Sequence, residues 1–217
     1  MRNKFLVFSI FLITLCNISY AQNSIYVNGT VGNFVYHYDN SLPITQDKNL
    51  NYGFGTNIGV IHNLNTEYKL ILETGYYFSK ASDVSTVTYF TQFDALKYDF
   101  DLTQYSFPFD ITISKNLLEH FEVGLGLSFE GINHTITTNQ PFNRETLEDK
   151  INLFALGANG LVQFRLPFAD DGRISILSNL RLRYLYSVWK IGSERKLNDY
   201  NFNFLQSNFS IGICYNL

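Results

Sequence analysis

Four carboxylates and three guanidinium groups stand at isolated positions inside otherwise uncharged runs: Glu73, Asp110, Glu122 and Glu130, and Arg165, Arg181 and Arg183. Charges set among apolar neighbours need partners wherever water is excluded. The chemistry they offer is therefore a network of ion pairs, carboxylate to guanidinium. The sharper alternative is a gated or narrow ion path lined by the same groups. Nucleophilic catalysis would need a serine, a histidine and an acid brought together. The histidines are His37, His62, His120 and His134. His62 and His120 adjoin short turns, and His37 and His134 approach the opposite rim. His134, close to Glu130 and Thr135, is the one candidate for such a site, and a rim histidine without function is the simpler reading. The sequence has no His-x-x-x-His and no Cys-x-x-Cys, so neither a metal site nor any cofactor is expected.

The elements that must position these residues show in a period-two alternation of bulky with small or polar residues, the pattern of β-strands. Tyr52, Phe54, Thr56, Ile58 and Val60 alternate with Gly53, Gly55, Asn57 and Gly59. Leu180, Leu182, Tyr184 and Tyr186 alternate with Asn179, Arg181 and Arg183. Similar runs start near Tyr68, Tyr105, Phe121, Phe154 and Leu205, and a less regular one spans Ser24–Tyr38, which makes eight. The phase slips around Leu102-Thr103, the mark of a bulge. Connections alternate as well. Asn63–Thr66, Lys115–Glu119 and Phe168–Gly172 are tight, whereas Asp39–Leu50, Lys80–Leu96, Asn139–Lys150 and Ile191–Tyr200 are longer and polar. All long links then lie at one end, which is the eight-stranded antiparallel up-and-down transmembrane β-barrel.

Which face points inward separates a membrane barrel from a soluble lipocalin-like carrier. Eight strands enclose an interior just wide enough for side chains to fill, and the bulky face carries too many Phe, Tyr, Leu, Ile and Val residues for it. In the regular runs the bulky face also carries no Asp, Glu, Lys or Arg, an exclusion that lipid imposes and water does not. The bulky face is therefore expected outside. Tyr52, Tyr76, Phe78, Tyr98, Phe100, Tyr186, Trp189, Phe202 and Phe204 are expected in an aromatic girdle at the long-link end, and Tyr68, Phe121, Phe168 and Tyr215 in one at the short-turn end.

Before the strands lies an address. Met1–Lys4 is cationic, Phe5–Leu15 is apolar, and Ser19-Tyr20-Ala21 supplies small residues at the cleavage positions. Residues 1–21 read as a secretory signal peptide cut after Ala21, leaving residues 22–217 as one barrel domain. Its removal takes Arg2 and Lys4, so the net charge moves from −3 to −5. It also leaves Cys214 as the sole thiol, with no internal disulfide to form. The acidic balance and the absence of a basic stripe argue against a nucleic-acid partner. Charged residues at 16% against 46% hydrophobic exclude a disordered chain.

Leu70–Ser79 (LILETGYYFS), Tyr105–Ile113 (YSFPFDITI) and Phe121–Leu127 (FEVGLGL) together resemble the PorT-like outer-membrane β-barrel family of Bacteroidota. The family's fourth strand reads aromatic-leucine-x-x-proline-apolar and its fifth carries glycine. This chain departs from it at Thr74-Gly75 and in ending on Leu217 rather than an aromatic residue. The resemblance implies an outer-membrane location, with some members linked to protein secretion, and it implies no activity. The expected partners are outer-membrane lipid and, through long loops such as Lys80–Leu96, other outer-membrane proteins, including a secretion or assembly machine. A lipid-modifying barrel enzyme built on His134 is the remaining rival.

Overall fold

The computed structural model describes residues 23–38, 52–90, 95–139, 146–168, 172–191 and 202–217. The signal-peptide segment and the Asp39–Leu50 link lie outside the described residues. Eight strands run in chain order: β1 (Asn23–Tyr38), β2 (Tyr52–Asn63), β3 (Tyr68–Phe90), β4 (Ala95–Leu118), β5 (Phe121–Asn139), β6 (Thr146–Pro167), β7 (Ile174–Ile191) and β8 (Phe202–Asn216). Each pairs antiparallel with its neighbours in sequence, and β1 pairs β8 to close the barrel. Closure leaves no sheet edge within the paired ring, so the backbone satisfies itself without water.

The alternation read from the sequence becomes two faces. On β7 the outward residues Leu180, Leu182, Tyr184 and Tyr186 are exposed, and Asn179, Arg181 and Arg183 are buried. Glu73 and Arg181 are each 2% exposed, so both point into the barrel. On β3 the outward span Tyr68–Phe78 has the length, about 9–11 residues, that a tilted strand needs to cross a bilayer. Among the described residues of β3 and β4, outward-facing charge appears at the borders of that span: Lys80 at one and Lys115 at the other are exposed. Lys115 lies 5.4 Å from the Tyr68 ring centre and 3.5 Å from Glu67. The Tyr68 phenol and the Glu67 carboxylate push its ammonium above the usual lysine range.

Exposed aromatic rings gather toward the long-link end. Phe54 meets Phe78 at 5.5 Å, Phe78 meets Tyr105 at 5.2 Å, and Tyr76 meets Phe107 at 5.3 Å, a belt across β2, β3 and β4. Opposite Phe154 and Ala155 of β6, the β7 partners jump from Trp189 to Ser187, a bulge that turns both Val188 and Trp189 outward. Phe204 departs from the expected girdle: it is 1% exposed and points inward. The side chains of Tyr98, Phe100 and Phe202 lie outside the described residues.

The link lengths also differ from expectation. β3 continues to Phe90 and β4 begins at Ala95, so Lys80–Leu96 is mostly a hairpin extension and not a loop. β5 reaches Asn139 and β6 begins at Thr146, which shortens the Asn139–Lys150 link in the same way. The Ser and Thr content of Lys80–Leu96 looks loop-like. Yet Val, Thr, Tyr and Phe favour strands, and a strand standing clear of the apolar span has no face to keep greasy. The last β2–β3 pair is Gly53–Ser79, so the upper half of β3 pairs only with β4 among the described residues. The slip expected at Leu102-Thr103 is seen on the partner: between Ala81 and Val84 β3 inserts one extra residue against the Phe100–Leu102 stretch of β4. At the short-turn end Gly172 adopts a φ of 64°, the left-handed geometry its lack of a side chain permits.

Candidate functional site

The candidate site is the lumen, which is filled in layers. Next to the short-turn end lies an apolar layer of Ile61, Ile71, Leu161, Leu177 and Cys214, bordered by the Tyr26 ring. The inner face therefore contains aliphatic bulk as well as the small and polar residues expected of it.

The charged layer joins Glu73 of β3 and Asp110 of β4 to Arg181 and Arg183 of β7. Arg183 Nε donates to both Asp110 oxygens at 3.1 Å, and its Nη2 also bonds Asp110 Oδ2. That two-pronged fit is the strongest form of carboxylate recognition. Arg183 Nη2 lies 3.6 Å from Glu73 and donates to the Tyr77 hydroxyl at 3.3 Å. Arg181 Nε sits 3.3 Å from Glu73, and its Nη1 donates to Thr112 at 3.0 Å and Asn159 at 3.1 Å. Asp110 accepts a further bond from Ser128, and Glu73 accepts one from the Tyr26 hydroxyl at 2.7 Å. Two cations and two carboxylates balance here, and the hydroxyls of Tyr26, Tyr77, Thr112 and Ser128 and the amide of Asn159 bond them further, while Glu73 Oε1 and Arg181 Nη2 make no hydrogen bond among the described residues.

The other three charges expected in the network lie elsewhere. Glu130 accepts from Gln206 at 2.9 Å and forms no ion pair among the described residues. Glu122 pairs with Lys69, a residue outside the expected set, and accepts from Ser114 at 3.3 Å. Arg165 meets none of the four carboxylates within ion-pair range. Sequence reasoning also missed Tyr26 and Tyr77, whose polar ends complete the charged layer. Their inward parity was legible, but a strand tyrosine is normally read as a girdle residue.

The histidine expected at the long-link rim is inside. His134 is 6% exposed and stacks on Phe204 with ring centres 6.1 Å apart and planes 19° apart. His62 Nδ1 lies 2.7 Å from Asn23 Oδ1, and His120 packs edge-on against Phe164. The side chain of His37 lies outside the described residues.

Gly59 shows how the charged layer is fitted to the wall. It lies between Tyr26 and Glu73 in the ladder, so the Tyr26 ring must cross it to reach the carboxylate. A β-carbon at Gly59 would overlap the tip of that ring, whereas one at Gly131 would meet nothing within 4 Å. Gly59→Ala is expected to cost about 1–3 kcal/mol through overpacking and loss of the Tyr26–Glu73 bond. Gly131→Ala is expected to be neutral or to stabilise by roughly 0.4–1 kcal/mol. Urea unfolding in phospholipid vesicles, followed by the fluorescence of Trp189, measures both; equal effects would show that Tyr26 does not need the gap.

No protein-family profile matches the chain, and no curated protein does. Among solved structures it is similar to the outer membrane protein OprG from Pseudomonas aeruginosa, at 11% identity and a TM-score of 0.50, over 90% of this chain and 95% of that one. It is also similar to Ail, the attachment invasion locus protein of Yersinia pestis, at 13% identity and a TM-score of 0.47, over 90% and 99% of the two chains. The Neisserial surface protein NspA matches at 14% identity and 0.45, over 89% and 97%. The likeness is one of fold: a closed, eight-stranded antiparallel barrel of the outer-membrane type.

Proposed function

We propose that the chain is an integral outer-membrane β-barrel without enzymatic activity, a scaffold or accessory subunit in a membrane assembly. The observation that carries this reading is the inverted placement of charge. Guanidinium and carboxylate groups are paired at the centre, while Leu, Ile, Phe and Tyr cover the outer wall. Lipid selects that arrangement, and a soluble carrier with an apolar cavity would show its opposite. The apolar and charged layers plug the lumen, which argues against a pore and leaves the surface as the working part. The strand extensions β3–β4 and β5–β6, standing beyond the apolar span, supply contact area for other outer-membrane proteins. The likeness of Tyr105–Ile113 and Phe121–Leu127 to PorT-like barrels of Bacteroidota supports a place in protein secretion or envelope assembly.

Membrane fractionation with gel electrophoresis tests the location. The protein is expected in the detergent-soluble outer-membrane fraction, running faster unheated than boiled. Recovery as a freely dissolved monomer would overturn the reading. Affinity purification from native membranes then tests the accessory role, which requires a stoichiometric outer-membrane partner.

A further inference from the structure

The short-turn mouth of the barrel holds a recess of about 680 Å³. That volume suits a small molecule rather than a bare ion, since ligand pockets run from about 300 to 1,000 Å³. Its walls carry neutral polar groups, among them Asn23, Ser24, Asn63, Thr66 and Asn116, and two cations, Lys69 and Arg165. The cations are not equivalent. Lys69 is committed to Glu122. Arg165 has Nε and Nη2 buried with no acceptor in reach among the described residues. Arg181 and Arg183, by contrast, each face two carboxylates.

Leaving buried guanidinium N–H groups without an acceptor is costly, and among the described residues nothing accepts from these two nitrogens. The packing needs at this position would be met by an uncharged side chain, as Gln163 meets them one inward position away. With Lys69 paired to Glu122, Arg165 is left as the unpaired cation among the described side chains that line the recess, and its planar fork matches the geometry of carboxylate and phosphate oxygens. On β3 the next inward residue after Lys69 is Ile71, which belongs to the apolar layer with Ile61, Leu161 and Leu177, so a ligand entering from the short-turn side would stop beside Arg165.

We propose that this recess binds a small organic oxyanion, with Arg165 as the anion-recognising residue and the surrounding amides and hydroxyls contacting the rest of the ligand. A carboxylate such as a peptide chain end and a phosphate group share this chemistry, and the test separates them.

The folded full-length barrel, isotope-labelled in detergent micelles, is titrated with N-acetylglycine and, separately, with inorganic phosphate while the arginine Nε–H and backbone amide resonances are followed. At least one probe is expected to shift the Arg165 Nε–H and the Ser24 and Thr66 amides saturably, with millimolar affinity, and the probe that does so identifies the anion class. Arg165→Gln is expected to weaken binding roughly tenfold or more, consistent with losing a charge-assisted pair. Lys115→Gln, at the same rim but outside the recess, is expected to leave it unchanged. The proposal is overturned if neither probe gives a saturable shift, if Arg165→Gln binds as well as the parent, or if Lys115→Gln weakens binding equally. Should Arg165→Gln fail to fold, the parent titration decides: shifts centred on Arg165 support the site, and shifts spread over surface lysines overturn it.

Discussion

Asp110→Ala is expected to destabilise the folded barrel by about 3–5 kcal/mol, the cost of leaving a buried cation without its counter-charge. Asp110 is 0% exposed and holds Arg183 through both oxygens, with Arg181 3.5 Å away. Removing it leaves the guanidinium groups sharing Glu73 alone. The paired change Asp110→Leu with Arg183→Met is expected to recover much of the loss, because apolar side chains of similar volume avoid the desolvation penalty altogether. Glu130→Gln is expected to cost far less, since Glu130 has an amide partner and no ion pair among the described residues. Equilibrium unfolding in urea from phospholipid vesicles measures all three. A single Asp110→Ala change costing under about 1 kcal/mol would mean that water reaches the cluster and screens it.

Leu182→Arg is expected to cost about 2–4 kcal/mol in a bilayer, the penalty for an arginine on a lipid-facing strand near the midplane. The position is a severe test because its neighbours on either side are arginines already. Leu182 is 51% exposed, while Arg181 and Arg183 are 2% and 1% exposed. The same residue type one step along the chain is thus essential on one face and excluded from the other. In vesicles the variant should lose heat-modifiable migration at a lower urea concentration than the parent. In a detergent micelle, where the boundary is softer, the difference should shrink. An unchanged midpoint in vesicles would place the outer wall in water.

The faces of the strands were legible because a period-two pattern has only two solutions, and charge decided between them. Arg181 and Glu73 could be assigned inward from parity alone. Which carboxylate meets which arginine was not legible, because partners across a lumen depend on strand tilt and register rather than on sequence spacing. Glu122 groups with the arginines by position and meets Lys69 instead. Phe204 and Tyr26 are inward by parity, yet aromatic residues suit both a girdle and a packed interior, and residue type alone does not say which. The Lys80–Leu96 segment reads as a loop because strands outside the apolar span lose the alternation that identifies them.

The arrangement of the charged layer also bears on assembly. Asp110 and Arg183 sit on strands that are not neighbours in the sheet, and 73 residues separate them along the chain. An incomplete ribbon lacking β7 would hold two anions with nothing to neutralise them, and a detached β7 would carry two cations into a medium that rejects them. Neutrality requires β7 to come opposite β3 and β4 across the lumen, so insertion of these strands and curling of the sheet are expected to be coupled.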